Sequence, residues 1–408
     1  MKGIDIMAGI EELIYDLLLA FATALIVGKL FEELVLRLNL PPVIGDLIAG
    51  LILGASFLSI FPVNDTIESV AWLGVIILLF YAGLETRYRE FMRNLGIYGI
   101  ITLGEALSAF IIGYIIGILF GYEPLSAFFM GAVLEATSIS VTVKTLLDIG
   151  KLATPEGYAI LGVAVLDDLA ALITIIVGKN LIARGAVSVA NIIEIFFVAL
   201  AFWLLTVILI HRISNTILRN AMKLHVSEGA VSIILGVFML VGFITKYIGL
   251  SPLIAAYAVG LALSEARGIG RIAEKIRPIA LTLSTLYFVA VTASLDIKTV
   301  LKPELIPFYI IFVLGAFAGK LMGAGLTSYL IGFPRISALR IATGLFPRAE
   351  FCIIAAYIGY SNNLFGAEVY LAAVLVVLIT NLFTPLVVKI VFTRGPEITH
   401  IKIRGLRR

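Results

Sequence analysis

The chain has 408 residues, 61% of them hydrophobic and only 14% charged, with a net charge of +3. A soluble domain is roughly half apolar and about a quarter charged, so this composition leaves too little polar surface to face water and excludes a soluble fold. The small, dispersed positive charge gives no basis for nucleic-acid binding, and the single cysteine, Cys352, excludes an internal disulfide and a multi-cysteine metal site.

A membrane-spanning helix takes roughly 20 mainly apolar residues. Such stretches follow one another along the chain and predict an all-α polytopic membrane protein of about thirteen transmembrane helices. Their approximate limits are 8–36, 42–60, 66–84, 96–120, 124–148, 153–179, 188–211, 226–248, 250–266, 277–294, 304–331, 335–361 and 366–393. The opening residues, MKGIDIMAGIEELIYD, are acidic and lack a small-residue cleavage site, so they read as the lead-in to a retained first helix rather than a signal peptide. Turn signals separate the spans, among them the prolines at 41–42, 62, 124, 155, 252, 303 and 334 and the Asn pair at 362–363.

Lys and Arg test the topology, because cytoplasmic loops hold an excess of them. One set of alternate loops carries Arg37, Arg87, Arg89, Arg93, Lys151, Arg212, Arg219, Lys223, Arg267, Arg271, Lys275, Arg277 and Arg335, and the tail adds Lys389, Arg394, Lys402, Arg404, Arg407 and Arg408. The opposite set carries Lys2, Lys179, Arg184, Lys246, Lys298 and Lys302. This asymmetry predicts a multi-pass protein of the cell membrane with the N-terminus outside and the C-terminus cytoplasmic.

Several charges fall where lipid does not tolerate them: Lys29, Lys144, Lys320, Arg340 and Arg348, and Asp46, Glu105, Glu135, Asp167, Asp168 and Glu350. A charge at the bilayer centre faces a cavity or a partner, and an intramembrane acid is a functional candidate by default. Asp167 and Asp168 carry the strongest signal, in the middle of the sixth span within LGVAVLDDLAALITIIV. Helix neighbours point about 100° apart, so one structural partner does not easily serve both. Carboxylates are hard oxygen ligands suited to an alkali cation or a proton. Lys320 lies among small residues in GAFAGKLMGAGL, which let another helix approach closely; it pairs with a carboxylate or, alternatively, snorkels to an interface.

The fifth span, MGAVLEATSISVTVKTLL, carries a polar stripe of Thr137, Ser138, Ser140 and Thr142. In the twelfth, Gly344 and Pro347 interrupt the helix and Arg348 and Glu350 follow. Broken helices at membrane depth line a cavity or are buried in protein, and their free ends supply carbonyls and dipole ends to ions. Ordinary interhelical hydrogen bonding of the Ser/Thr stripe and charge pairing of Arg348 and Glu350 are the alternatives. His211, His225 and His400 read as surface residues, and Gly268 to Gly270 lack the strand-to-helix setting of a nucleotide loop. The broken fifth and twelfth spans are each preceded by a span with a buried charge, Glu105 and Lys320. Spans 4–6 and 11–13 therefore correspond as inverted repeats, the arrangement that points to a secondary transporter's binding site.

On EATSIS (135–140), AVLDDLA (164–170), GKLMG (319–323) and GLFPRAEF (344–351), the sequence resembles the cation:proton antiporter superfamily in its two-aspartate sodium/proton branch, over nearly the whole chain. The resemblance implies the sodium/proton antiporter fold with two crossed broken helices. It implies a core bundle of about 96–179 and 304–393 that moves against a dimerisation part of about 8–84 and 188–294, and a homodimer in the lipid bilayer. Asp168 is then the essential cation- and proton-binding carboxylate. Asp167 is its partner, salt-bridged to Lys320 when no ion is bound, and Thr137 and Ser138 shape the ion site. Glu135, Arg348 and Glu350 are supporting charges; Glu135 stands where many two-aspartate relatives have a small or hydroxyl residue, and GLFPRAEF is also similar to the electroneutral and potassium-efflux branches. The expected activity is exchange of Na+, or Li+, for protons, without a cofactor and without enzyme chemistry. A K+/H+ antiporter of the same fold, a cation channel and a sodium-coupled symporter are the alternatives.

Overall fold

In lipid each backbone polar group needs a partner within the protein, so long apolar segments of a single chain become helices. The structure, a computed structural model, describes residues 2–184, 189–247, 251–294 and 303–395, which are helical with short connections. The helices run in order α1 (Lys2–Arg37), α2 (Val43–Leu53), α3 (Asp65–Leu84), α4 (Tyr88–Leu119), α5 (Pro124–Glu135), α6 (Ser140–Asp148), α7 (Pro155–Arg184), α8 (Val189–Ala221), α9 (Gly229–Ile244), α10 (Pro252–Leu263), α11 (Ile269–Ala293), α12 (Ile306–Lys320), α13 (Leu326–Ile331), α14 (Arg335–Gly344), α15 (Glu350–Ser361) and α16 (Ala367–Thr393). Among the described residues ten segments are long and apolar enough to cross a membrane, with α5–α6 and α12–α13 each taken as one, and Val43–Leu53, Pro252–Leu263 and Phe351–Ser361 are shorter apolar helices.

The expected segments 42–60 and 250–266 are shorter than full spans. α2 stops at Leu53 because Gly54 lies flat against α11: a Cβ there would sit 2.2 Å from the Ala293 carbonyl oxygen, and Ala55 N–H donates to that same oxygen at 3.1 Å. The apolar residues beyond it, Phe57, Leu58 and Ile60, are exposed rather than helical. α10 begins at Ser251, whose side chain accepts from Leu253 N–H, and every residue from Leu253 to Leu263 is buried, so it meets protein on all sides. α11 starts at Ile269, ahead of the expected 277, and carries Pro278 inside it.

Two groups of helices emerge from the packing. α3 and α10 pack on each other and on α11 and α8, with α1, α2 and α9 around them. α4 packs on α5, α7 and α12, and α15 and α16 close that group. Without a hydrophobic drive between helices in lipid, close contact depends on small residues. Gly319 and Gly323 show this: a Cβ on either would lie 2.7 Å or 2.5 Å from the Cα of Ala109 or Glu105 on α4. Just past Lys320 the helix widens into a π-turn over Leu321–Gly325, a feature that recurs at functional sites.

Candidate functional site

The fifth and twelfth expected spans are both interrupted, between α5 and α6 at residues 136–139 and between α14 and α15 at 345–349. The two interruptions meet. Ser138 N–H donates to the Pro347 carbonyl at 2.8 Å, and Thr142 Oγ1 donates to the Gly344 carbonyl at 2.6 Å. Each half-helix therefore ends in the middle of the protein with carbonyls that no further turn can satisfy.

Two buried cations meet those carbonyls. Arg348 is fully buried. Its Nε and Nη2 donate to Leu134 O at the end of α5, at 3.2 and 2.9 Å, and Nη2 also to Ala316 O on α12. Its Nη1 donates to the carbonyls of Leu345, Phe346 and Pro347 just past α14. The guanidinium thus caps two helix ends, where the negative pole of each helix dipole favours a cation. Its backbone N–H donates to Thr380 Oγ1 on α16 at 3.2 Å. Lys320, also without solvent exposure, donates to Glu135 O, the last carbonyl of α5, and to the Glu105 carboxylate.

The carboxyl groups gather around Lys320. Asp167 is buried on α7; its Oδ2 accepts from Thr137 N–H at 2.8 Å and lies 3.8 Å from Lys320 Nζ, while its Oδ1 has no hydrogen-bond partner among the described residues. Glu105 on α4 is the direct partner of Lys320, so the expected Lys320–Asp167 bridge is the outer arm of a three-way cluster. Thr137 Oγ1 reaches Glu105 Oε1 at 3.4 Å. The Glu135 side chain accepts from Thr174 Oγ1 at 3.0 Å, and its Oε2 has no partner among the described residues. Ser138 Oγ lies 3.1 Å from Ser140 Oγ. Asp168 is buried one position along α7. The side chain of Glu350 lies outside the described residues. Glu105 and Thr174 were absent from the expected site. Glu105 did carry a signal, because it precedes its broken span as Lys320 precedes the other, but neither sequence position names its partner.

A buried carboxylate needs a compensating charge. Among the described residues the carboxyl groups of Glu105, Glu135 and Asp167 gather near Lys320, and Asp168 is buried beside Asp167 on α7. A cavity of about 530 Å³ leads to the crossing between the helix groups; it is lined by Trp72, Tyr287, Ile353 and Tyr370, with Glu68 toward one end of α3 and Ala349 of the second interruption among its walls. On the opposite face the groups touch through Val43 N–H on Asp148 Oδ2 at 3.3 Å, Tyr158 on the Glu85 carbonyl, and Lys389 on the Asn39 carbonyl.

The family model described as "Sodium/hydrogen exchanger, transmembrane" matches residues 21–394. The chain belongs to the sodium/hydrogen exchanger family. Relatives of this exchanger include the probable Na+/H+ antiporter GerT of Bacillus cereus, 33% identical over 90% of this chain and 96% of the relative. The Na+/H+-K+ antiporter GerN of the same organism is 29% identical over 93% and 97%. Among solved structures, the sodium proton antiporter MjNhaP1 of Methanocaldococcus jannaschii superposes with a TM-score of 0.66 at 17% identity, covering 90% of this chain and 97% of that one. That likeness shows the exchanger's fold. Its relatives are membrane transporters, and the exchanger is a multi-pass membrane protein.

Proposed function

We propose that this exchanger swaps Na+ for protons at the Asp167–Asp168 pair by alternating access. The observation that carries the reading is the gathering of the buried carboxyl groups Glu105, Glu135 and Asp167 around Lys320 at the crossing of the two broken helices, with Asp168 buried beside them on α7. From one face Asp168 binds Na+ and gives up its proton. Asp167 and Lys320 rearrange as the cation arrives: Lys320 keeps Glu105, and Asp167 Oδ1, which has no hydrogen-bond partner among the described residues, turns to the ion. With its charges neutralised, the bundle of α4–α7 and α12–α16 crosses the hydrophobic barrier against α1–α3 and α8–α11 as an elevator and releases its load on the other side. The cavity on one face and the interhelix hydrogen bonds on the other support this division. If Lys320 releases a proton in the cycle, exchange is electrogenic; if Glu105 holds it protonated, exchange is electroneutral. We place the N-terminus outside, the C-terminus in the cytoplasm and a homodimer through the second helix group.

A second reading, K+/H+ exchange at the same carboxyls, is favoured by the relationship to GerN, a Na+/H+-K+ antiporter. Both are tested by reconstituting the protein in liposomes with an internal pH dye, imposing a proton gradient and adding Na+, Li+ or K+, with Asp168→Asn as the blank. Recovery with Na+ or Li+ that vanishes in the variant supports the proposal. Recovery with K+ alone supports the second reading, and equal recovery in the variant removes the aspartate pair from the mechanism.

A further inference from the structure

The π-turn past Lys320 has two faces. On one, Gly319 and Gly323 press against α4. On the other lies a shallow groove of about 180 Å³ between the π-turn with α13 and the facing side of α14. Its lining is apolar, with Leu321, Gly325, Leu339 and Ala342 in it, except for Arg335 beside Tyr329. Tyr329 and Arg335 flank the turn that joins α13 to α14, on the Lys/Arg-rich face, and Leu321 and Ala342 lie about two helical turns further along. The groove exists because the residues that face each other are small: a Cβ on Gly325 would meet Ala342 Cβ at 3.4 Å, an ordinary contact. Leu321, Met322, Leu326, Leu330 and Leu339 around it are exposed, so the groove opens on the surface that lipid covers. Arg335 is exposed as well. Its guanidinium lies 5.8 Å from the centre of the Tyr329 ring, and it forms no ion pair among the described residues.

We infer that this groove binds one anionic phospholipid, with its phosphate on Arg335 and an acyl chain along Leu321 and Gly325. The two halves of the groove match the two halves of such a molecule. An apolar trough that opens on the bilayer takes a hydrocarbon chain and offers nothing to a hydrated ion. The planar guanidinium meets phosphate oxygens through a fork of donors, and Tyr beside Arg at the end of a span sits at headgroup depth. A basic side chain there attracts an anionic leaflet, whereas a zwitterionic headgroup brings its own cation to the place Arg335 already fills. The occupant reaches the exchange site through the backbone. Leu321 directly follows Lys320, so a chain packed on Leu321 and Gly325 braces the π-turn from outside and holds its other face on α4, where Glu105 receives Lys320. A π-turn carries one residue more than an α-turn, and relaxation of an unbraced turn rotates Lys320 away from Glu105. Bound lipid is therefore expected to speed exchange. This coupling rests on the exchange reading; the lipid site itself does not.

The test is native mass spectrometry of the delipidated protein in detergent, titrated with phosphatidylglycerol, phosphatidylcholine or soluble glycerol phosphate. The expected result is one phosphatidylglycerol that binds ahead of all others, more tightly than phosphatidylcholine, and that glycerol phosphate does not displace. Arg335→Gln, an exposed change that leaves the fold intact, is expected to weaken this first lipid about fivefold, as loss of one basic side chain at an anionic lipid surface does. Gly325→Leu puts a side chain into the groove and is expected to remove the lipid with Arg335 still present. Thermal unfolding in lipid-free detergent checks that both variants fold. Equal phosphatidylglycerol binding by the parent and Arg335→Gln would overturn the site. So would equal binding of phosphatidylcholine by the parent, which marks annular lipid only, or displacement by glycerol phosphate, which marks a free-anion site. In the dye assay, adding phosphatidylglycerol to phosphatidylcholine liposomes is expected to speed exchange by the parent and not by Arg335→Gln; an equal gain in the variant assigns the effect to bulk surface charge and overturns the coupling. Lipid binding is read without transport, so failure of the exchange reading, exchange surviving in Asp168→Asn, is separable from failure of the lipid site.

Discussion

Glu105→Gln tests the charge cluster at the crossing most directly. In the native site Lys320 divides itself between Glu105 and, at 3.8 Å, Asp167. Removing the Glu105 charge while keeping its shape leaves Asp167 as the remaining ion-pair partner of Lys320 among the described residues. Two unit charges at that distance attract by about 4 kcal/mol at an effective dielectric constant of 20, and relaxation leaves roughly half of that as the added cost for a cation that must take Asp167 from Lys320. At about 1.4 kcal/mol per decade, the KM for Na+ is expected to rise at least tenfold. The assay is Na+-dependent dye recovery in liposomes over a wide Na+ range, with thermal unfolding in detergent as a control for folding. A KM within about twofold of the parent (well below one decade), in a protein that unfolds at the parent temperature, would refute the three-way cluster. Glu105→Ala is the harsher contrast. It leaves a buried ammonium short of its partner, which costs about 3–5 kcal/mol, and is expected to lower the unfolding temperature as well.

Other substitutions probe separate parts of the argument. Arg348→Lys retains the charge but not the fork that reaches Leu134, Ala316 and the 345–347 carbonyls; each bond from a charged donor contributes about 1.5–3 kcal/mol, so a clear fall in unfolding temperature and a loss of most exchange are expected. Lys320→Gln is expected to abolish any dependence of exchange on membrane potential while some exchange survives, read with the potential clamped. Glu156→Gln weakens the buried bond from Arg340 at 2.8 Å that ties α7 to α14 and is expected to destabilise the fold with little change in the KM for Na+. Gly319→Leu pushes α12 off α4, where even a Cβ meets Ala109 Cα at 2.7 Å, and is expected to abolish folded protein on size-exclusion chromatography.

Much of this was legible in the chain because membrane helices write their interruptions plainly. Pro347 with Gly344, and the Thr-Ser run after Glu135, mark the two breaks at the residues where the backbone leaves the helix. The aspartate pair stands out because lipid gives a carboxylate no reason to be there. The short α2 and α10 were not legible: Phe57, Leu58 and Ile60 prolong the apolar pattern after the helix has ended at Gly54, and nothing in hydropathy records that Gly54 touches Ala293. The partners of Arg348 were hidden for a different reason. They are carbonyl oxygens, which all residues share, and only the tertiary crossing brings three elements to one guanidinium. Glu105 was visible as a buried acid, but its role depends on Gly319 and Gly323 drawing α12 onto α4.

The Arg348 guanidinium has a mechanical consequence. It fastens the end of α5, the segment after α14 and a carbonyl of α12 to one rigid plane, and its own backbone to α16. Neither half-helix can tilt alone without tearing several charged bonds at once, so the crossing is stiff and the compliance of the protein is displaced to its perimeter. A stiff cradle holds its oxygen atoms at fixed spacing, and such a cradle discriminates among cations by radius rather than by yielding to each. On the proposed exchange reading, the exchange that survives in Arg348→Lys is expected to discriminate less between Na+ and K+ than the parent does.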